Sequence, residues 1–200
     1  MSEPTTPDAS LMVDFLMAHS SSLTRSQKLA QSAALRQKDE AFMAALVAFT
    51  ARSLTTSTPV PFGALIVDTL TGKPLMRALN AVRQENDPSS HAEVRTVRKA
   101  TKKLKSPSLK GYTMYTTCEP CPMCMANALW AGLDRVVYGA TIADAARHCR
   151  QIYIPATEVA TRSDMPCLIT GPVLQAACNT LFDHPNMQKV FATWNPKSTT

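Results

Sequence analysis

Apolar residues recur at spacings of three and four along some segments and form short continuous runs in others, and the two patterns predict different elements. The first pattern predicts helices, which fall at residues 39–54, 91–104, 121–131, 143–150 and 172–182. The second pattern, bounded by turn residues, predicts strands at residues 62–68, 75–82, 111–118, 135–139 and 168–170. Their order along the chain predicts an α/β fold with three layers, α/β/α, around a mixed five-stranded sheet.

The beginning of the chain is more polar than the rest and contains two short apolar stretches. We interpret residues 1–36 as an extension, docked on the domain or on a partner subunit, and residues 37–200 as one domain. The apolar stretch 11–18 contains an aspartate and follows no basic residue, which argues against a secretory signal. Since no apolar run reaches the roughly 18 residues of a membrane span, we expect a cytoplasmic protein without membrane contact.

The positive charge of the chain is concentrated in one segment. The formal net charge is +6, from 21 basic and 15 acidic residues. Seven of the basic residues lie between positions 95 and 110, and without them the remaining 14 basic and 15 acidic residues give a net charge of −1. They are Arg95, Arg98, Lys99, Lys102, Lys103, Lys105 and Lys110. Such a basic segment either attracts nucleic acid or acidic substrates, or is a solvated helix face.

Three residues in two short motifs are suited to bind zinc. His91 begins one predicted helix, and Cys121 and Cys124 begin another, three residues apart and on one face. One histidine and two cysteines leave the fourth tetrahedral position open, as in catalytic zinc sites. Glu93, two residues after the histidine, can reach a water on the metal without binding the metal itself. We therefore predict Zn²⁺ as the cofactor and Glu93 as the catalytic acid and base.

The combined pattern resembles a known family of enzymes. His91-Ala92-Glu93 followed by Pro120-Cys121-Pro122-Met123-Cys124 is the pattern of zinc deaminases, in which the glutamate moves protons. Over roughly residues 38–182 the chain resembles the cytidine-deaminase-like superfamily, in the branch of guanine deaminase and, next, tRNA adenosine deaminase. The resemblance implies a cytidine-deaminase-like fold and a homodimer. It also implies hydrolytic deamination of a purine base, with attack by zinc-bound hydroxide and Glu93 as proton shuttle.

The resemblance further implies which residues contact the substrate. Asn80 is expected to hydrogen-bond the base and Phe62 to stack on it, while backbone N–H groups near Ala92 and Cys121 are expected to bind the ring carbonyl. Trp130 lies six residues after the second cysteine, where guanine deaminases carry tryptophan and tRNA enzymes carry histidine. Asp144 matches an aspartate that binds the edge of the ring that carries the amino group. Each of these side chains also has a purely structural alternative. Asn80 would be an ordinary turn residue, and Asp144 would be a helix N-cap. Phe62 and Trp130 would be core aromatics.

The C-terminus departs from the guanine deaminase pattern. Those enzymes end in a tail whose last aromatic, a tyrosine, closes the pocket, whereas here Trp194 is the nearby aromatic, six residues before the end. Three other functions therefore stay open. The basic segment favours tRNA adenosine deamination, which Trp130 disfavours. A nucleoside or cytosine-type deaminase is the second, and a zinc-containing binding module without catalysis is the third, against which Glu93 argues.

Overall fold

The computed structural model describes residues 24–194, which fall into two units, one ending at Lys38 and one beginning at Asp39. In the first unit, Thr24 precedes a long helix. Its hydroxyl accepts the N–H of Gln27, and the Gln27 side-chain oxygen accepts the N–H of Thr24, which makes a capping box. Residues 1–23 of the predicted extension lie outside the described residues, so its docking stays a prediction.

The described chain alternates between helices and strands. The helices are α1 (Arg25–Ala51), α2 (Val82–Glu85), α3 (Ala92–Leu104), α4 (Pro122–Trp130), α5 (Ile142–Ala146), α6 (Ala156–Thr161), α7 (Gln175–Asp183) and α8 (Pro185–Trp194), with a 3₁₀ turn at Arg52–Thr55. The strands are β1 (Gly63–Asp68), β2 (Pro74–Leu79), β3 (Tyr112–Cys118), β4 (Arg135–Ala140) and β5 (Leu168–Thr170). Within the described residues, no helix combines the length and the apolar composition that a membrane span requires.

The five strands form one mixed sheet in the order β2-β1-β3-β4-β5. Strand β1 pairs antiparallel with both β2 and β3, whereas β3, β4 and β5 run parallel. Parallel neighbours need a crossover, and helix α4 supplies the one between β3 and β4. The predicted fold class, an α/β fold with a mixed five-stranded sheet, is confirmed. The predicted end of the second strand was wrong, because its last residue, Val82, begins α2 instead.

Side chains alternate across the sheet and give it a core on each face. On β1, Leu65 and Val67 belong to the cluster that α1, α7 and α8 cover, while Ile66 belongs to the cluster that α3, α4 and α6 cover. This alternation is the consequence of the two-residue period of a strand. The result is three layers, with helices on both faces of the sheet.

A buried ion pair between Asp39 and Arg135 connects the start of the second unit to the sheet. The carboxylate of Asp39 accepts two hydrogen bonds from the guanidinium of Arg135 on β4, at 2.6 and 2.8 Å. It also accepts a bond from the hydroxyl of Tyr115 on β3, at 2.7 Å. Both charged side chains are buried, and Thr170 accepts further bonds from the guanidinium. Every charge in this network therefore has a partner, which buried charges require.

The variant Asp39→Asn is expected to lower the free energy of unfolding by about 3–5 kcal/mol, because it leaves the Arg135 charge buried and unpaired. Urea unfolding followed by circular dichroism measures this loss. The control is Glu158→Gln, which breaks the exposed pair between Glu158 and Arg162 on α6. It should cost less than about 1 kcal/mol. Equal losses in the two variants would show that the Asp39 network does not stabilise the fold.

Candidate active site

A hydrogen-bonded turn before α3 places His91. The carboxylate of Asp87 accepts bonds from the hydroxyl and the backbone N–H of Ser89, at 2.7 and 2.8 Å, and these bonds lower the pKa of Asp87 to about 2. The carbonyl of Ser90 accepts the N–H of Ala81, which attaches the turn to the chain that follows β2. His91 is then the N-cap residue of α3 in extended conformation, and its imidazole does not cap the helix.

The two cysteines lie at the start of α4, close to this imidazole. Cys121 is the N-cap residue, and Pro122 takes the first helical position, where proline is favoured. The sulphur of Cys121 lies 3.7 Å, and that of Cys124 3.5 Å, from Nδ1 of His91. Tetrahedral ligands at the usual bond lengths to zinc stand about 3.5–3.8 Å apart. The three side chains therefore fit a zinc ion and leave a fourth position for another ligand.

The two sulphurs differ in acidity. A hydrogen bond from the thiol of Cys124, and a further one with His91, lower the pKa of Cys121 to about 4. The pKa of Cys124 rises, because its thiol donates that bond and is buried. The low pKa favours the thiolate form of Cys121, and a bound dication would replace the proton on Cys124. Within residues 24–194, these two cysteines and His91 are the one group of three or more side chains spaced to ligate a metal.

Glu93 lies in the first turn of α3, two residues after the N-cap residue His91, with its carboxylate beside the ligand cluster. The residue is 6% exposed, and its Oε1 accepts a hydrogen bond of 3.1 Å from the hydroxyl of Thr116 on β3. Burial raises the pKa of Glu93, while the neighbouring charge of His91 acts in the opposite direction. A raised pKa makes this carboxyl group a better proton acceptor than an ordinary glutamate, as a group that accepts and returns protons requires.

An open pocket of about 560 Å³ leads to these residues. His91, Glu93 and Cys121 lie in its wall, and so do Phe62 and Asn80 from the β1–β2 pair. The N–H of Asn80 bonds to the carbonyl of Phe62 at 3.0 Å, so the two predicted substrate contacts are neighbours. Five of the residues predicted from the sequence are therefore together at one pocket.

Ala92 and Cys124 lie directly behind that wall. Ala92 is the first residue of α3 and is fully buried, and Cys124 is 1% exposed. Neither side chain lines the pocket, so Ala92 can contact a substrate only through its backbone, as the sequence analysis expected.

The structure does not bring Trp130 to the pocket of its own chain, and this expectation needs correction. Trp130 is the last residue of α4, and its side chain is 79% exposed. The two cysteines lie at the first turn of this helix, about two turns away. The end of the helix that carries the indole is therefore remote from the end that carries the ligands. The alternative of a core tryptophan is also wrong.

Asp144 is likewise absent from the pocket wall, because its carboxylate is occupied elsewhere. Oδ2 accepts bonds from the N–H and hydroxyl of Thr141 and from the amide of Gln175, at 2.9, 2.8 and 2.6 Å. Oδ1 accepts a bond from Arg147 at 3.0 Å. Thr141 is the N-cap of α5, and Asp144 is the third helical residue of the same capping box. Asp144 therefore has a structural role at the start of α5, close to the helix N-cap that was its predicted structural alternative.

Helix α8 and the role of Glu119 were not predicted from the sequence, which had left open whether Trp194 reaches the pocket. Helix α8 places Trp194 in the wall, where the indole packs edge-on against Phe191 with ring centroids 5.4 Å apart. The signal was present, since Pro185 starts a segment whose apolar residues recur at helical spacing. Glu119 was the second omission. Its carboxylate accepts the N–H groups of Ile142 and Ala156, at 3.2 and 3.0 Å, and so fixes the wall between α5 and α6.

The basic segment lies mainly on α3, and part of its charge is neutralised. Arg95 forms an ion pair with Glu85 at 2.7 Å, and Arg98 forms one with Asp87 at 3.4 Å. Among the described residues that line the pocket, none belongs to the basic segment. The segment is therefore a partly paired helix face outside the pocket.

A histidine and two cysteines with one open position, beside a buried carboxylate, are typical of zinc hydrolases as a class. The sequence assigns the chain to one family within this class. Residues 36–140, more than half of the chain, match the family model for the cytidine and deoxycytidylate deaminase zinc-binding region. The chain belongs to this deaminase family, and zinc is the metal that the His91, Cys121 and Cys124 cluster is suited to hold.

Curated relatives come from two branches of deaminases. The chain is 45% identical to guanine deaminase of Bacillus subtilis over 86 residues, which are 43% of this chain and 54% of that protein. It is 40% identical to the tRNA-specific adenosine deaminase of Agrobacterium fabrum over 90 residues, 45% of this chain and 58% of that protein. The chain thus spans little more than half the length of these relatives.

The fold is shared with a solved guanine deaminase. The structure of guanine deaminase from Nitrosomonas europaea superposes with a TM-score of 0.67 and 20% identity, over 74% of this chain and 84% of that one. This likeness shows a cytidine-deaminase-like fold.

Proposed function

We propose that the chain is a zinc-dependent aminohydrolase that releases ammonia from a guanine-type purine base. One observation carries this proposal: a buried carboxylate, Glu93, lies in the wall of an open pocket beside three ligands that fit zinc. The relation to guanine deaminase of Bacillus subtilis supports the choice of base.

Glu93 performs the proton transfers in the proposed reaction. His91, Cys121 and Cys124 would hold zinc, which would make a water acidic enough to attack the base at neutral pH. Glu93 accepts the proton that the water gives up. As the oxygen of that water bonds to the carbon that bears the amino group, Glu93 delivers this proton to the ring nitrogen. It then moves the proton of the new hydroxyl group to the amino group, so that the carbon–nitrogen bond breaks, a carbonyl forms and ammonia leaves. Thr116 holds the carboxylate through the bond to Oε1 while these protons move.

The pocket wall supplies the groups that orient the base. The ring of Phe62 offers a stacking face, since it lines the pocket and packs edge-on against Phe182 at 5.4 Å. Asn80 offers both a donor and an acceptor for the polar edge of the ring. The backbone N–H groups near Ala92 and Cys121, at two helix starts, suit a ring carbonyl oxygen. Trp194 bounds the pocket from the same chain, in the place of an aromatic tail residue.

Deamination of adenosine in a tRNA anticodon loop is the second candidate, favoured by the basic segment and by the Agrobacterium relative. A panel of ammonia-release assays separates the candidates. It contains guanine, adenine, cytosine, their nucleosides and nucleotides, and a tRNA anticodon hairpin. The proposal requires release from a guanine-containing compound. Release from the hairpin alone would replace it with the tRNA function, and release from cytosine compounds alone would indicate a pyrimidine deaminase.

We further propose that two copies associate as a homodimer and act in purine metabolism in the cytoplasm. The described residues include six cysteines without disulfides, as expected in a reducing compartment. Trp130 and Tyr153 are exposed over 79% and 74% of their surfaces, and aromatic residues are enriched at protein interfaces. Their elements adjoin, because α4 packs against α6, which follows Tyr153 closely.

Light scattering at micromolar concentration is expected to give twice the chain mass of 21.7 kDa. Replacing Trp130 and Tyr153 by serine should weaken association at least about tenfold, the loss typical of interface aromatics. The control is Leu70→Ser, which removes a side chain that is 91% exposed on the β1–β2 turn. A single-chain mass for the unaltered protein, or equal effects of both changes, would contradict the dimer.

A further inference from the structure

A second cavity adjoins the pocket that leads to Glu93. Its volume is about 310 Å³, and the two cavities share Asn80, Arg83 and Trp194 as their common wall. The second cavity is otherwise lined by Ser57, Thr58, Pro59, Val60, Gln84 and Val190. The two cavities therefore meet at the three shared residues.

The polar groups around the second cavity suit an anion. Hydroxyl, amide and guanidinium groups line it, and among the described residues that do so none is acidic. The guanidinium of Arg83 donates one hydrogen bond, to the hydroxyl of Thr193 at 3.2 Å. Within residues 24–194, no carboxylate lies within ion-pair distance of Arg83. A guanidinium has five N–H groups, so most of them stay available for a ligand.

We propose that the second cavity binds the sugar phosphate of a purine nucleoside monophosphate, with Arg83 as the residue that recognises the phosphate. This inference rests on the proposed function, since it adds the form of the substrate to the choice of base. Arginine matches phosphate geometry with paired N–H donors. Ser57, Thr58 and Gln84 supply neutral partners for the sugar hydroxyls.

A single nucleotide fits these observations better than an RNA strand. An RNA backbone needs a basic track that continues from the pocket, because binding depends on several phosphate contacts. The basic segment contributes no residue to either cavity among the residues described, and Arg95 and Arg98 are paired with carboxylates. The single phosphate of a mononucleotide needs only the local group that Arg83 provides.

The test is the ratio of kcat/KM for guanosine monophosphate to that for guanosine, which isolates the phosphate. We expect a ratio of at least about 10 for the unaltered enzyme, and a fall of about tenfold in Arg83→Gln, the loss of one hydrogen bond to a charged group. Arg83→Lys keeps a positive charge and should retain most of the ratio. The matched control, Arg162→Gln, removes an exposed guanidinium at the C-cap of α6 and should retain the whole ratio.

Both substrates are measured on the same sample, so a loss of folded protein cancels in the ratio. A ratio near one, or a ratio that Arg83→Gln leaves unchanged, overturns the inference while purine deamination stands. Deamination of the anticodon hairpin, with no release from guanine, guanosine or guanosine monophosphate, overturns the inference together with the proposed function.

Discussion

The variant Glu93→Gln is expected to deaminate its substrate at least about 10²-fold more slowly than the unaltered protein, the usual scale for a positioned acid and base. The amide keeps the shape of the side chain and can still bond to Thr116, but it cannot take up a proton. Zinc content should stay unchanged, because the ligands are other residues. The measurements are kcat from ammonia release and zinc content by atomic absorption on the same sample.

The control for this change is Glu158→Gln, which neutralises a carboxylate on α6 that is 43% exposed. It should keep the full kcat. Turnover of Glu93→Gln at the level of this control would remove Glu93 from the proton transfers. Loss of zinc in Glu93→Gln would assign the residue to the metal ligands instead.

The variant Cys124→Ala is expected to lose zinc and activity together. The unaltered chain should carry about one zinc ion, and a site with one cysteine and one histidine left has too few ligands to retain it. Cys124 is also buried beside Nδ1 of His91 at 3.5 Å, so no exposed side chain can replace its sulphur. Zinc content and kcat are measured after dialysis against a weak chelator.

Cys167→Ala is the matched control, since Cys167 is a half-buried cysteine outside the ligand cluster. It should keep zinc and turnover. If Cys124→Ala keeps both as well, the assignment of the metal site is wrong.

Local patterns in the sequence were sufficient to predict most of the fold and the ligands. Strand β3 follows a glycine and is rich in threonine and tyrosine, residue types that are enriched in strands. His91, Cys121 and Cys124 could be predicted because zinc restricts both the residue types and their spacing at helix starts. Glu93 followed from its distance to the histidine along one helix.

The remaining features depend on contacts between distant segments. Trp130 and Asp144 were placed by resemblance, but the length of α4 moves the indole away and a capping box occupies the carboxylate. Arg83 had no motif, since its position between two cavities arises from the approach of α8 to the segment after β2. The role of Glu119 depends on bonds to backbone groups that follow it by 23 and 37 residues.

The most direct test of the central claim is ammonia release from guanine and guanosine monophosphate before and after zinc removal. Zinc-loaded protein should convert the guanine ring to xanthine with one ammonia per ring, lose this activity when a chelator strips the metal, and regain it when zinc is restored. Absence of ammonia from both compounds with zinc-loaded, folded protein would contradict the claim. Undiminished release after complete removal of zinc would contradict it equally.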